Sequence, residues 1–377
     1  MSDRLKRVVI AYESQASAEA RLARYGYAPQ LAAEIAVYLA QSTDLPDYFG
    51  EIREELAAAG ASVEFIELEE LSRARPATQE EQPLIWCQTD GIRFFRGSSV
   101  PFFARLDGAA RYGSSLLAQA LCQNKFECLT LAEAAGLTIQ PTLLLEGREV
   151  VASLGRLGSR ETSLFVKPNT LGAKIGIFAD SRSATMAEAL YAASRIWDRY
   201  RDRAIVQSFI EGDDVRVSYM DLGGAFAAQL GLAQLVKHPE SETGGAFMTM
   251  RDNETLSGAK DLTGARGGFG LSRAAAFTPG MIDLRQAKDE RSRHAIKTIV
   301  PQAERLARLV GLADYFSMDF RIDAKGEPTF FEFEVCPAVT IYDFQTYLRS
   351  VHGLSLGAAL ARSMQLAYSR HRDAREA

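Results

Sequence analysis

Hydrophobic and polar residues alternate most regularly between Asp314 and Val339. The first half of this stretch is apolar at Phe316, Met318, Phe320 and Ile322 and polar at Ser317, Asp319, Arg321 and Asp323. The second half is apolar at Phe331, Phe333 and Val335, with Phe330, Glu332 and Glu334 between them. Alternation with a period of two is typical of strands that bury one face. We therefore predict a hairpin whose four-residue loop is 324–327.

This register would crowd three carboxylates on the polar face of the hairpin. Asp319 would lie directly opposite Glu332, and Glu334 would follow two residues along the same face. Neighbouring carboxylates repel one another, and a hard cation such as Mg²⁺ removes the conflict because it prefers oxygen ligands. The alternative is a solvated face on which Arg321 neutralises its neighbours. The hairpin pattern by itself leaves both interpretations open.

Strand and helix signals alternate along the first third of the chain, which indicates a parallel α/β sheet. There we predict strands at 7–12, 61–68 and 83–89 and helices at 27–41 and 47–59. Further along we predict helices at 115–135, 186–200, 287–310 and 348–368, a short helix within 146–162, and strands at 139–145, 163–167, 204–211, 215–220 and 225–230. The predicted fold class is α/β, with α+β organisation in the C-terminal part.

Two glycine-containing segments stand outside this pattern. Residues 167–177 form a turn between strands, in which Lys167 and Lys174 could accompany backbone N–H groups against phosphates. The segment is not a Walker A loop, because GxxxxGK[ST] occurs nowhere in the chain. Residues 237–280 are rich in Gly, Ser and Thr and are interpreted as a lid, a binding loop or a disordered segment.

Composition narrows the class of protein without naming a chemistry. The chain has 377 residues, of which 47% are hydrophobic and 24% charged, with a formal net charge of −5. This balance argues against a nucleic acid or a membrane as the main partner. The four cysteines show no zinc-ligand spacing, and no run reaches transmembrane length, so we expect reduced thiols and a cytoplasmic location.

Four segments occur in a particular order along the chain. They are Asn124-Lys125; Lys167-Pro168 with Gly172 and Gly176; 206–212 (VQSFIEG); and Asp319 with Glu332, Glu334 and Pro337. Their order and spacing resemble the ATP-grasp superfamily, closest to its D-alanine–D-alanine ligase-like branch, over roughly 112–340. The resemblance implies an N-terminal α/β domain at 1–114, a central subdomain at 115–210 and a C-terminal subdomain with the metal site at 211–377.

The resemblance also implies a role for each matching residue. Lys125 and Lys167 would contact the α- and β-phosphates of ATP, and the loop with Gly172, Ala173, Lys174 and Gly176 would close over the phosphates. Gln207 would face the adenine amino group, Ser208 and Ile210 would offer backbone groups to the adenine, and Asp214 would contact the ribose. Asp319, Glu332 and Glu334 would hold two Mg²⁺ ions, which Mn²⁺ could replace. Glu334 stands where the family has Asn.

Three departures from the family pattern concern the substrate. The family's glycine-rich turn with a substrate-binding Glu is represented here by residues 12–15 (YESQ). The family Arg two residues before the metal-binding Asp is Ser317, and we expect Arg321 or an arginine of 251–273 to take its catalytic place. The serine pair of the phosphate loop is Ala173-Lys174. We therefore do not expect D-alanine as the substrate.

The resemblance implies an enzyme that forms an amide bond between amino acids or small peptides, with release of ADP and phosphate. The chain needs no Ser/His/Asp set for this, because a substrate carboxylate attacks ATP itself and Lys125 and Lys167 stabilise charge. A ligase that modifies a peptide or protein terminus and a nucleotide-binding regulator without turnover are the alternatives. Family members are often dimers, which leaves a homodimer open.

Overall fold

Three sheets organise the chain, and the helices pack against them. The structure is a computed structural model that describes residues 4–43, 49–71, 82–88, 104, 108–157, 163–172, 174–235, 243–250, 281–337 and 342–376. The predicted mixed α/β class is confirmed, with one parallel and two antiparallel sheets. Among the described helices, none combines the length and the hydrophobicity needed to cross a bilayer.

The first sheet is parallel, as the alternation of strands and helices predicts, and has the strand order β2-β1-β3-β4. Its elements are β1 (Arg7–Tyr12), α1 (Gln15–Arg24), α2 (Pro29–Thr43), α3 (Phe49–Ala58), β2 (Ser62–Glu67), β3 (Leu84–Gln88) and β4 (Ala110–Tyr112). Helix α1 and strand β4 are absent from the prediction. Helix α1 has a weak apolar pattern, and β4 has only three residues, so neither carries a periodic signal long enough to recognise.

The second sheet is antiparallel, with the order β6-β5-β9-β7-β8. Its strands are β5 (Thr142–Glu146), β6 (Glu149–Leu154), β7 (Leu164–Pro168), β8 (Arg182–Ser183) and β9 (Ala204–Ser208). Over 146–157 the short helix predicted within 146–162 is wrong, because β6 pairs with β5 there; residues 158–162 lie outside the described residues. Helix α6 (Met186–Tyr200) begins with a capping box of Thr185 and Glu188.

The single helix predicted at 115–135 is two helices, α4 (Leu116–Leu121) and α5 (Lys125–Ala134). The Asn124 side chain accepts a hydrogen bond from the N–H of Glu127 and so starts a new helix. The break matters for the site, because it places Lys125 in the first turn of α5.

The third sheet is antiparallel, with the order β12-β11-β10-β13-β14. Its elements are β10 (Asp213–Met220), β11 (Leu230–Leu235), β12 (Met281–Asp283), α7 (Glu290–Val310), β13 (Tyr315–Ile322) and β14 (Pro328–Glu334). The strand predicted at 225–230 is wrong, because Phe226–Gln229 is a 3₁₀ turn that precedes β11. The predicted closing helix is also two helices, α8 (Tyr342–His352) and α9 (Leu356–Glu376).

One hydrophobic core joins the first sheet to the end of the chain. It contains Ile10 of β1, Leu56 of α3 and Leu360 of α9, all fully buried. Trp86 and Tyr315 lie edge to face, with ring centroids 5.6 Å apart, and the indole N–H donates a hydrogen bond to the Tyr315 hydroxyl at 2.7 Å. The N-terminal sheet therefore packs on side chains from the far end of the sequence.

A buried carboxylate lies at the junction of these parts. Asp314 accepts a hydrogen bond from the N–H of Gly113 at 2.6 Å and forms an ion pair with Arg370, which also contacts Asp221. Burial raises the pKa of Asp314 from 3.8 to about 6, although Arg370 opposes the shift. Asp314 also has a left-handed backbone (φ 62°), a conformation that Asn tolerates.

Asp314→Asn should change how the free energy of unfolding depends on pH. A carboxyl whose pKa is raised by folding is favourable while it is protonated, so its contribution falls as pH rises from about 4 to 6. One pKa unit corresponds to about 1.4 kcal/mol, so the wild type should lose at most about 3 kcal/mol relative to the variant between pH 4 and 7. Urea unfolding of both proteins across this range measures the difference.

Asp323→Asn is the matched control. Hydrogen bonds, the largest from the N–H of Glu327, lower the pKa of Asp323, so this carboxyl stays ionised from about pH 4.5 to 7. The difference in the free energy of unfolding between Asp323→Asn and the wild type should be constant over that range. A constant difference for Asp314→Asn as well would contradict the prediction.

Candidate active site

A cavity of about 220 Å³ lies between the second and third sheets. Of the residues predicted for the site, it is lined by Lys125, Lys167, Gly172, Lys174, Gln207, Ser208, Ile210, Asp214, Asp319, Arg321, Glu332 and Glu334. Gly176 packs instead against Pro168 and Tyr200, where an added Cβ would lie 2.6 Å from Pro168 Cγ. Ala173 and the arginines of 251–273 lie outside the described residues. Segments far apart in the sequence thus converge on one cavity.

The predicted opposition of Asp319 and Glu332 is confirmed, although the hairpin around it differs from the prediction. Strand pairing begins at Ile322 and Pro328, so the loop has one residue more than predicted. A bulge at Phe331 then restores the register. Because of the bulge, Phe330 is fully buried in the core and Phe331 faces the cavity, the reverse of the predicted assignment.

Two lysines face the carboxylates across the cavity. The Lys125 ammonium lies 3.3 Å from a Glu332 carboxylate oxygen and donates a hydrogen bond to the Leu171 carbonyl at 2.9 Å. Burial alone would raise the pKa of Glu332, but Lys125 and Lys167 outweigh it and hold that pKa at about 2. Burial lowers the pKa of Lys167, and Glu332 opposes that shift. Glu332 is therefore a permanent anion between two cations.

Arg216 is a site residue that the sequence interpretation missed. It lies on β10 directly opposite Asp319 on β13. Its Nε and Nη2 atoms donate to the two oxygens of Asp319 at 2.9 and 3.1 Å, which is a bidentate pair. The available signal was that Arg216 and Ser218 alternate with apolar residues along the strand predicted at 215–220. The partner strand could not be read from that alternation.

The donor set fits a hard cation, although it is not arranged as a metal cage. Three carboxylates on one face of the third sheet, beside two lysines, suit Mg²⁺ that is held together with phosphates. Within the described ranges, however, no three His, Cys, Asp or Glu side chains form a group that could hold a metal ion as they stand. Asp319 and Glu332 are engaged instead by Arg216 and Lys125.

Lys174 contributes a further cation from the glycine-containing loop. Its backbone is left-handed (φ 63°), which costs a non-glycine residue about 1 kcal/mol or more. Its side chain lines the cavity, where burial and Arg216 lower its pKa and Asp319 and Glu334 oppose that shift. Backbone strain of this kind collects at functional sites, so it agrees with the predicted place of Lys174 in a phosphate loop.

The other end of the cavity is less charged. Thr142 donates its hydroxyl hydrogen to the Gln140 carbonyl at 2.8 Å, so its oxygen accepts the Gln207 amide N–H, also at 2.8 Å. This arrangement fixes the orientation of the Gln207 amide. The Gln207 carbonyl oxygen is the atom left to accept a hydrogen bond from a bound molecule.

Arg321 is held at this same end. Its Nε donates to Asp214 at 2.7 Å and its Nη1 to the Ile210 carbonyl at 3.0 Å. The guanidinium lies 5.4 Å from the ring centroid of Phe209 and 5.6 Å from that of Phe331. Arg216, and not Arg321, is the arginine that contacts Asp319, so a catalytic role for Arg321 stays a prediction.

Buried amides hold the two lysine-bearing segments together. Asn169, one residue after β7, accepts a hydrogen bond from the N–H of Phe126 at 2.9 Å and donates to the Asn124 side chain at 2.9 Å. The backbone carbonyl of Asn169 accepts a hydrogen bond from the backbone N–H of Lys125 at 3.1 Å. These bonds set the start of α5 against the end of β7 and thereby fix the spacing of Lys125 and Lys167.

Curated relatives of the chain share one name. D-alanine–D-alanine ligase A of Bradyrhizobium diazoefficiens is 25% identical over 281 residues, which are 73% of this chain and 66% of that protein. D-alanine–D-alanine ligase of Citrifermentans bemidjiense is 23% identical over 275 residues, 73% of this chain and 76% of that protein. The chain thus aligns with just under two thirds of the first relative. No protein-family model matches it.

Solved structures share the fold of this chain over nearly its whole length. A D-alanine–D-alanine ligase from Bacillus anthracis complexed with ATP has a TM-score of 0.59 at 11% identity and covers 98% of this chain and 99% of that one. The ligase from Coxiella burnetii has a TM-score of 0.61 at 15% identity and covers 100% and 97%. The predicted resemblance is thus confirmed: the chain is similar in sequence to curated D-alanine–D-alanine ligases and has the ATP-grasp fold of the solved ones.

Proposed function

We propose that the chain is an ATP-dependent carboxylate–amine ligase that joins amino acids or small peptides through an acylphosphate. The observation that carries this proposal is the convergence, in one cavity, of two lysines and three carboxylates from segments about 200 residues apart. The relatives named D-alanine–D-alanine ligase support the same class of reaction.

The nucleotide would lie along the cavity from Gln207 to the carboxylates. The adenine amino group would donate to the Gln207 carbonyl, close to the backbone of Ser208 and Ile210, and the ribose would lie near Asp214. Lys125 and Lys167 would contact the phosphates. Lys174 would approach the phosphates from the loop. A neighbour of the same fold has been solved with ATP, which supports this use of the cavity.

Asp319, Glu332 and Glu334 would hold Mg²⁺, with two ions as the resemblance implies. When bound, the metal supplies positive charge to the phosphate oxygens. For the carboxylates to serve as ligands, Arg216 and Lys125 must exchange their present partners for the phosphates. Both cations are already within the cavity, so this exchange needs only side-chain movement.

The reaction would need no protein nucleophile. A carboxylate oxygen of the first substrate attacks the γ-phosphorus of ATP, the bond to the β–γ bridging oxygen breaks, and ADP leaves. The amine of the second substrate then attacks the acyl carbon, phosphate leaves, and the amine loses a proton as the amide forms. The chain's own residues position the reactants and neutralise the transferred charge.

Two features argue against D-alanine as the acid. Glu13 follows β1 at the place of the family's substrate-binding Glu, but both its oxygens are engaged by Arg21, at 2.6 and 2.8 Å. Glu13 and Arg21 are 3% and 1% exposed, so this carboxylate is not open to a substrate ammonium. Ser317 is fully buried and replaces the family arginine. We therefore propose an acid that is recognised by other groups.

Asp319→Asn should remove turnover without unfolding the protein. The change keeps the shape of the side chain but removes one anionic ligand, so ADP release should fall about 100-fold or more. ADP release is measured with Mg-ATP and paired L- and D-amino acids, and products are identified by mass. Glu327→Gln, on the exposed hairpin loop, is the control and should keep wild-type turnover. Full activity of Asp319→Asn would rule out the assignment.

Thr142→Val should weaken the preference for adenine. Without the hydroxyl, the Gln207 amide can turn and donate to the 6-oxo group of guanine, so the ratio of ATP to GTP affinity should fall about tenfold. Calorimetric titration with each nucleotide measures this ratio without any substrate. Gln207→Glu keeps the acceptor and should retain the preference for ATP. An unchanged ratio in Thr142→Val would refute the role of Thr142.

A further inference from the structure

The carboxylate face of the cavity is already supplied with cations. Asp319, Glu332 and Glu334 line it together with Lys125, Lys167, Lys174 and Arg216. Four positive charges therefore face three negative ones among these residues. A bound metal ion would add charge to a face that is already compensated, so one or more protein cations must leave the carboxylates when a metal ion binds.

The Arg216–Asp319 pair is the contact that competes most directly with a metal. The guanidinium engages both oxygens of Asp319, at 2.9 and 3.1 Å. Bidentate pairing occupies one lone pair on each oxygen and keeps a positive charge beside the carboxylate, which opposes the approach of a metal cation. The two side chains are 21% and 26% exposed, so water reaches the pair and it can open without unfolding the strands.

The other arginine on this face is not available for the same role. Arg321 is bound to Asp214 and to the Ile210 carbonyl. Ser317 has no charge to offer, and its hydroxyl oxygen has no hydrogen-bond partner in the part of the chain that the structure describes. Among the described residues, Arg216 is therefore the guanidinium placed to move between Asp319 and a phosphate.

We propose that Arg216 is an exchangeable counter-ion, which holds Asp319 while the cavity contains no nucleotide and moves to the nucleotide phosphates when the metal ion and the nucleotide bind. This inference rests on the proposed function. It makes Arg216 the cation that replaces the arginine missing at position 317. It also makes the binding of metal and nucleotide cooperative. The metal ion displaces Arg216 from Asp319, and the nucleotide phosphates give Arg216 a new anion to contact.

The cooperativity follows from which contacts are lost and gained. A metal ion alone must displace Arg216, which then has no new anion. A metal ion that arrives with a nucleotide leaves Arg216 a phosphate to contact, so the lost ion pair is replaced. Coupling between two ligands is reciprocal, and couplings in proteins commonly change affinity about 5- to 150-fold. The nucleotide should therefore raise Mn²⁺ affinity by a factor in this range.

Mn²⁺ binding to the full chain tests the proposal without turnover. Electron paramagnetic resonance counts free Mn²⁺ during titration of the wild type and Arg216→Gln, each with and without ADP. In the variant, Mn²⁺ alone should bind about tenfold more tightly than in the wild type, because the competing guanidinium is gone. The enhancement by ADP should be smaller than in the wild type, because only the direct contacts of the phosphates with Mn²⁺ remain, after correction for Mn²⁺ bound to free ADP.

Arg291→Gln is the matched control. Arg291, in the first turn of α7, is partly exposed and forms an ion pair with Asp213 of β10 at 2.7 Å. Neither residue lines the cavity. The variant should leave both Mn²⁺ affinity and the enhancement by ADP at wild-type values. Thermal unfolding of each variant shows whether it remains folded.

The outcomes separate this inference from the proposed function. A wild type that binds neither Mn²⁺ nor ADP would overturn both. A wild type that binds both ligands, together with an Arg216→Gln variant whose Mn²⁺ affinity and ADP enhancement are unchanged, would overturn only the role of Arg216.

Discussion

Opposite charges on neighbouring strands are the constraint on which the candidate site depends. The antiparallel pairing of β10 with β13 sets Arg216 against Asp319, and the pairing of β13 with β14 sets Asp319 against Glu332. The second of these pairings would be destabilising alone, because like charges are opposed across strands. The first pairing, with Lys125 from the start of α5, compensates it. The sheet is thus stable before any ligand enters.

The compensation also ties two sheets together. Lys125 starts α5, which packs against β14 of the third sheet, and its ammonium contacts Glu332 there, while its backbone N–H donates to the Asn169 carbonyl just after β7 of the second sheet. Hydrogen bonds from Asn169 fix the start of that helix. They therefore fix the position from which the Lys125 side chain extends into the cavity. A binding cleft between two sheets needs such a support, because the cleft itself has few packing contacts. The charged residues therefore act as both structure and candidate chemistry.

Local patterns in the sequence predicted the central hairpin and most residues of the candidate site. The features that they missed depend largely on which strands pair over long range. Alternation placed Asp319 opposite Glu332, and a longer loop and a bulge offset each other so that the pairing held. Strand β6 escaped prediction because four of its six residues are exposed and none is fully buried. Arg216 escaped because its partner lies 103 residues away, and a single sequence does not specify which strands become neighbours.

The core shared by the first sheet and the last helices has a consequence for synthesis on the ribosome. Ile10 emerges from the ribosome 350 positions before Leu360, which lies in the same core. At roughly 5–20 residues per second, that interval lasts on the order of 20 to 70 seconds. During this time one apolar face of the nascent sheet lacks its cover. Slow elongation or early release should therefore expose this protein to aggregation or to chaperone binding at its N-terminal end.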